Sequence, residues 1–231
     1  MIGGSLRYTL VSFLGRHASL FALYYRRHPR FGRLVVRPDS EIVIEGYPRC
    51  ANSFSVLAFE RAQQRPMHIG HHLHAPAQIA LGVKYGIPVL ALIREPIGAA
   101  ASLITRHPEI TAEQALRQYV SFYECVRRYG DRVVLADFRK ITSDYAQVIE
   151  AVNRRFNTAF RPYVNSAAED EAVFKAIDSL NSENEGGAEN QLARPSDAKN
   201  ALLQAARQRV EQEPLAARAC AVFDQLSAAC V

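Results

Sequence analysis

From Asp39 to Phe160, short apolar runs alternate with stretches of helical periodicity. Glu41-Ile-Val-Ile-Glu45 is β-branched and weakly alternating, which predicts a strand; Gly46-Tyr47-Pro48 breaks it, and Ser53 to Glu60 has the spacing of a helix. Met67-His68-Ile69 predicts a short second strand, Ala75 to Tyr85 a helix, and the unbroken run from Pro88 to Ile93 a strand buried on both faces. Helices are then expected over Pro96 to Arg106 and over Thr111 to Tyr129, the latter capped by Thr111 with Glu113 in its first turn. Arg132 to Ala136 reads as a fourth strand and Ser143 to Phe156 as a helix. Strands alternating with helices in this way imply an α/β fold of three layers, a mainly parallel sheet flanked by helices.

The flanks read differently. Tyr8 to Gly15 and Ala18 to Tyr25 are apolar runs broken by Arg16-His17, each short of the roughly 18 to 20 apolar residues that a membrane-spanning helix needs. Drawn as one helix, Leu6, Leu10, Phe13, Leu14, Leu20, Phe21 and Tyr24 share an arc, with Arg7, Arg16, Arg26 and Arg27 outside it. Asn181 to Gln191 is polar, acidic and contains glycine, which predicts a mobile loop over 181–195. A helical C-terminal tail follows, one helix starting at Pro195-Ser196-Asp197 and ending near Val210, another running from Pro214 to near Ala229. Neither a repeat nor a second core is visible, so the chain divides into an arm over 1–38 and a single domain over 39–231.

Charge sharpens that division. The 231 residues carry 28 Lys+Arg against 23 Asp+Glu, a formal charge of +5. The excess lies in the arm, which has seven arginines and no acid before Asp39, whereas the remainder has 21 basic and 23 acidic residues. At 48% apolar and 22% charged the chain has the balance of a globular protein, which excludes disordered and collagenous classes. The arm is therefore either a helix docked on the domain or a peripheral helix whose arginines meet an anionic membrane. Nucleic acid is not expected as a partner, because no aromatic-interleaved basic patch or reader motif follows. Cys50, Cys125, Cys220 and Cys230 show neither C-x-x-C nor metal-ligand spacing, which points to a reducing compartment. The expected location is cytoplasmic, with peripheral attachment to the inner face of the membrane open to it.

Gly46-Tyr47-Pro48-Arg49-Cys50-Ala51-Asn52-Ser53 joins a strand to a helix, where backbone N–H groups favour an anion. Against the nucleotide loop G-x-x-x-x-G-K-[ST], Gly46 and Ser53 fit, while Ala51 replaces the second Gly and Asn52 the Lys. Arg49 offers a forked cation in mid-loop instead. Where position 51 needs a positive φ, Ala costs about 1 kcal/mol. The buried run ends in Arg94-Glu95-Pro96, with Ser102 eight residues after Arg94; a guanidinium at the carboxyl edge of a sheet suits a phosphate monoester. A triphosphatase would want an acid for Mg²⁺ at a strand end, and Asp137 is a candidate. His68, His71, His72 and His74 cluster between the motifs. They serve a proton transfer, a metal held on one face of an extended segment by His72 and His74, or local hydrogen bonds.

Together these motifs resemble the PAPS-dependent sulfotransferase family, whose donor is 3′-phosphoadenylyl sulfate (PAPS). Tyr47-Pro-Arg-Cys-Ala-Asn-Ser-Phe54 is similar to the family's 5′-phosphosulfate loop Y-P-K-S-G-T-T-W, and Arg94-x-Pro96 followed by Ser102 is similar to its 3′-phosphate motif. Val133 to Phe138 is similar to the strand and turn that come next, so the resemblance runs from Ile42 to Phe160. It implies a P-loop NTPase-like fold. It implies that Arg49, Cys50, Ala51, Asn52, Ser53 and Phe54 surround the 5′-phosphosulfate, and that Arg94 and Ser102 hold the 3′-phosphate. The family's glycine-rich segment near the C-terminus is absent, and the resemblance leaves Arg194-Pro-Ser-Asp-Ala-Lys199, with Arg194 foremost, as the expected substitute for its donor contacts. Against the family's K-T-H-x-P segment, His72 takes the Lys position and His74 that of the catalytic base, with Arg49 neutralising the departing phosphate. The resemblance thus implies metal-independent sulfuryl transfer to a hydroxyl or amine of a carbohydrate, lipid or small-molecule acceptor. His107 to Thr111 and Asn165 to Arg194 are expected to line the acceptor. A Mg²⁺-dependent kinase or NTPase and a non-catalytic, membrane-docked scaffold are the alternatives.

Overall fold

A computed structural model describes residues 4–185 and 197–231, with side chains over 8–180 and 201–231. The arm forms α1 (Gly4–Leu14) and α2 (Ala18–Tyr25). The single arc drawn for one helix fails at this break. In α2 it is Phe21 and Tyr25 that are buried, while Leu20 and Tyr24 are exposed. Gly15 sits at the break because its carbonyl accepts from Ala77 N at 2.8 Å, and a Cβ there would meet Ala75 Cβ at 3.1 Å. The end of the arm is pinned by the buried Gln78, whose Oε1 accepts from Val36 N at 2.9 Å and whose Nε2 donates to Leu34 O at 2.7 Å.

The domain continues through β1 (Ile42–Gly46), α3 (Asn52–Gln63), β2 (Ile69–His71), α4 (Pro76–Tyr85), β3 (Val89–Ile93), α5 (Pro96–Arg106), α6 (Ala112–Arg127) and β4 (Val134–Asp137). Then follow α7 (Phe138–Ser143), α8 (Tyr145–Phe156), α9 (Ala167–Glu185), α10 (Asp197–Glu211) and α11 (Ala216–Ser227). All strand pairs are parallel, in the order β2-β1-β3-β4, and helices flank the sheet, so the α/β architecture expected of the alternating pattern is the one formed. β1 and β3 are buried along their whole length, which is why β3 reads as an unbroken apolar run.

Local chemistry sets several boundaries. Thr111 caps α6 with Glu113 in the first turn, as expected, and Gln114, the third helical residue, completes a capping box. The helix expected from Ser143 starts instead at Tyr145, because Asp144 Oδ1 accepts from Gln147 N at 3.3 Å and separates α8 from α7. The segment 181–185 continues α9 and is not the start of a loop. The rest of the predicted loop lies outside the described residues. The tail packs back on the domain, with Val210 of α10 and Ala219 and Val222 of α11 buried.

Candidate functional site

In the strand order β2-β1-β3-β4 the chain steps from β1 to one neighbour and then crosses to the other side of β1 to make β3. The loops after β1 and β3 therefore leave the sheet in diverging directions, and in open α/β sheets the ligand crevice lies at such a switch point, at the carboxyl edge. Gly46 of β1 pairs with Leu92 of β3, and Ile93 with Asp137 of β4, so the three strands end level. Arg49 and Arg94 stand in the two loops that border this crevice.

The loop after β1 is tightly built. Arg49 has φ 70° and Ala51 φ 65°, so a non-glycine residue does occupy the left-handed conformation at position 51. Asn52 begins α3 with its side chain turned back, Nδ2 donating to Tyr47 O at 3.0 Å, which ties the loop to itself; its Oδ1 is buried without a partner. Ala51 provides no side-chain cap to the first-turn amides of α3. Cys50 is fully buried with Sγ 3.4 Å from the Tyr123 hydroxyl, and burial pushes its thiol up to about 12. Only its backbone can serve a ligand. Phe54 packs against Tyr145, Tyr163 and Phe174 at ring separations near 6 Å and is buried.

The second motif meets the first directly. Arg49 Nε donates to Ser102 Oγ at 3.0 Å, and Arg94 Nη1 donates to Arg49 O at 3.1 Å. The Arg94 guanidinium lies over the Phe138 ring, 4.4 Å from its centroid, at the start of α7. Tyr119 and Tyr123 hydroxyls donate to Arg94 O and Leu92 O, each at 2.7 Å, and so hold the end of β3 from beneath. Asp137 is already committed elsewhere: its Oδ1 accepts from Arg139 N at 2.8 Å and caps α7. The acid on which a Mg²⁺-dependent reading relied is thus a helix cap. Arg194 lies outside the described residues.

The histidine segment leaves β2 at His71 and turns at once. His72 has φ 54° and His74 φ 49°, so the extended segment that would put both on one metal-binding face is not formed. Among the described residues no group of three His, Cys, Asp or Glu side chains converges on a common point. His72 Nε2 is 3.0 Å from Ser53 Oγ, which links this segment to the β1 loop, and its Nδ1 is hydrogen-bonded to Nδ1 of His71. Burial, with His71 and His74 nearby, holds His72 well below the usual imidazole value; burial and Arg33 lower His71 to about 4.

His74 is different. Its Nδ1 donates to Gly46 O at 2.9 Å and lies 3.5 Å from Oε1 of Glu45, a fully buried carboxyl. Burial pulls the imidazole down, but the hydrogen bond and charge of Glu45 and the Gly46 carbonyl outweigh it, so His74 is raised above its ordinary value. Glu45 is itself held by Leu73 N at 3.0 Å and Gly46 N at 3.2 Å. Sequence reasoning missed Glu45. The available signal was an acid inside a strand whose other positions are all apolar or Gly.

No family model and no curated protein matches the chain. Among solved structures it is similar to the crystal structure of mouse sulfotransferase SULT7A1 complexed with PAP, at 11% identity and a TM-score of 0.41, over 84% of this chain and 91% of that one.

Proposed function

We propose that this chain is a sulfotransferase that moves a sulfuryl group from 3′-phosphoadenylyl sulfate to an acceptor hydroxyl. The observation that carries the proposal is the joining of the two motifs at the switch point: Arg49 bonded to Ser102, and Arg94 bonded to the Arg49 carbonyl. Two guanidinium groups and an uncapped helix N-terminus suit a ligand with two separated phosphate groups.

The first-turn amides of α3 and Ser53 would bind the 5′-phosphate, and Arg49 would face the bridging oxygen. Ser102 accepts from Arg49, which leaves its own O–H to donate to a phosphate oxygen beside Arg94. The Nδ1 proton of His74 is fixed on Gly46 O, so the lone pair of neutral His74 is on Nε2. Nε2 would take the proton from the acceptor O–H as that oxygen bonds to sulfur. The bond from sulfur to the 5′-phosphate oxygen breaks, and adenosine 3′,5′-bisphosphate leaves with the electron pair. Arg49 and the helix dipole would stabilise the charge that grows on this oxygen.

Calorimetric titration with adenosine 3′,5′-bisphosphate in EDTA tests the donor class. The expected result is binding at least about tenfold tighter than 5′-AMP, as befits a 3′-phosphate held by a guanidinium. Equal affinities would refute the proposal.

A further inference from the structure

The arm presents a surface that the proposed reaction does not use. α2 is apolar at every position but Ser19, which is close to the pattern of a helix covered on all sides. The domain covers only one side of it, through Phe21 and Tyr25. At 100° per residue Leu20, Leu23 and Tyr24 share the far side, and they are 47%, 58% and 51% exposed. On α1, Leu10 and Phe13 are likewise exposed, at 46% and 54%. Five large apolar side chains thus face outward from two adjacent helices.

Charge identifies what covers them. Arg16 precedes α2, and Arg26 and Arg27 follow it directly; these three, with Arg30, Arg33 and Arg37, are exposed, and the arm contains no acid. A second copy of the chain would bring the same arginines against them. An anionic bilayer surface satisfies both features, taking the apolar side chains into its acyl boundary and the guanidinium groups among its headgroups. Among the described residues no helix is long and apolar enough to cross a membrane, so the contact is with the surface.

We infer that α1 and α2 form a docking face for anionic lipid bilayers, with Leu20, Leu23 and Tyr24 inserted and Arg16 and Arg27 at headgroup level. This inference is independent of the sulfuryl-transfer reading, because no nucleotide enters its test. The full chain is sedimented with vesicles of phosphatidylcholine alone or of equal parts phosphatidylcholine and phosphatidylglycerol. We expect about tenfold stronger partition onto the anionic vesicles, weakened at high salt. The combined Leu20→Ser, Leu23→Ser and Tyr24→Ser variant should lose about tenfold or more, and Arg16→Gln with Arg27→Gln a similar factor, each with an unchanged melting temperature since these side chains are exposed.

Partition of the serine variant equal to that of the native chain would overturn the inference, since the apolar face would then take no part. So would absence of any preference for anionic vesicles. Light scattering adds a third decisive result: a dimer that the serine variant converts to monomer would assign the face to a second copy.

Discussion

Nδ1 of His74 lies 3.5 Å from Oε1 of Glu45, although 28 residues separate the two in sequence. β1 and β2 bring them together. Ile44 pairs with His71, so Glu45 stands beside the turn that carries His74. The imidazole is thereby oriented by a carboxyl buried in the sheet and a carbonyl at its edge, while 28% of its side chain stays exposed. An imidazole held this way has one tautomer and a raised proton affinity.

The pH dependence follows with a definite sign. His74 must be neutral to accept a proton, so turnover falls on the acid side with a midpoint above the ordinary imidazole value of about 6.5. Glu45→Gln should move that midpoint to lower pH, read from the pH–rate profile and from NMR titration of His74. The pair also affects stability: because the folded value is raised, its contribution is complete below the unfolded value and disappears as pH rises through the folded one. A midpoint indifferent to Glu45→Gln would remove Glu45 from the account.

His74 and His72 should separate cleanly. His74→Ala is expected to cut turnover by about 10²- to 10⁴-fold with adenosine 3′,5′-bisphosphate affinity retained. His72, bonded to Ser53 and held neutral, should instead affect binding, so His72→Ala weakens nucleotide affinity more than it slows turnover. Steady-state kinetics alongside calorimetry distinguishes the two.

Ala51 at φ 65° carries a backbone penalty that glycine would not. Ala51→Gly should stabilise the fold by about 1 kcal/mol, seen as a higher urea midpoint at unchanged slope, and Ala51→Val should destabilise it. No gain on Ala51→Gly would mean that the loop relaxes around the alanine at no cost.

Asp137 as a helix cap predicts a stability effect without a nucleotide effect. Asp137→Ala should cost about 1 kcal/mol through loss of the bond from Arg139 N and leave nucleotide affinity in EDTA unchanged. Loss of a Mg²⁺-dependent affinity in this variant would revive a kinase-like reading.

How much of this was legible depends on the range of the interactions. β3 and α5 could be read because an unbroken apolar run and Pro96 are local signals, and Arg94 stood out because a buried strand ended in a charge. α9 was missed because among its described side chains it buries only Val173 and Ile177, one residue pair at helical spacing in an otherwise polar segment. In the arm, a wheel drawn through Gly15 mixed two helices of different orientation, so it named Leu20 and Tyr24 where Tyr25 belonged. The candidate residues are legible one motif at a time. That Arg49 bonds to Ser102, and that Glu45 holds His74, depends on parallel pairing and loop curvature that no local pattern encodes. The left-handed turns at His72 and His74 were equally invisible, and they removed the extended geometry on which metal binding by that pair relied.

The central claim is that Arg94, at the end of β3, reads the 3′-phosphate of the nucleotide. Its most direct test is the ratio of affinities for adenosine 3′,5′-bisphosphate and 5′-AMP, measured by calorimetry in EDTA for the native chain and for Arg94→Ala. The account predicts a ratio of about tenfold or more that collapses toward one in Arg94→Ala, with the affinity for 5′-AMP little changed. A ratio that survives the substitution would contradict it.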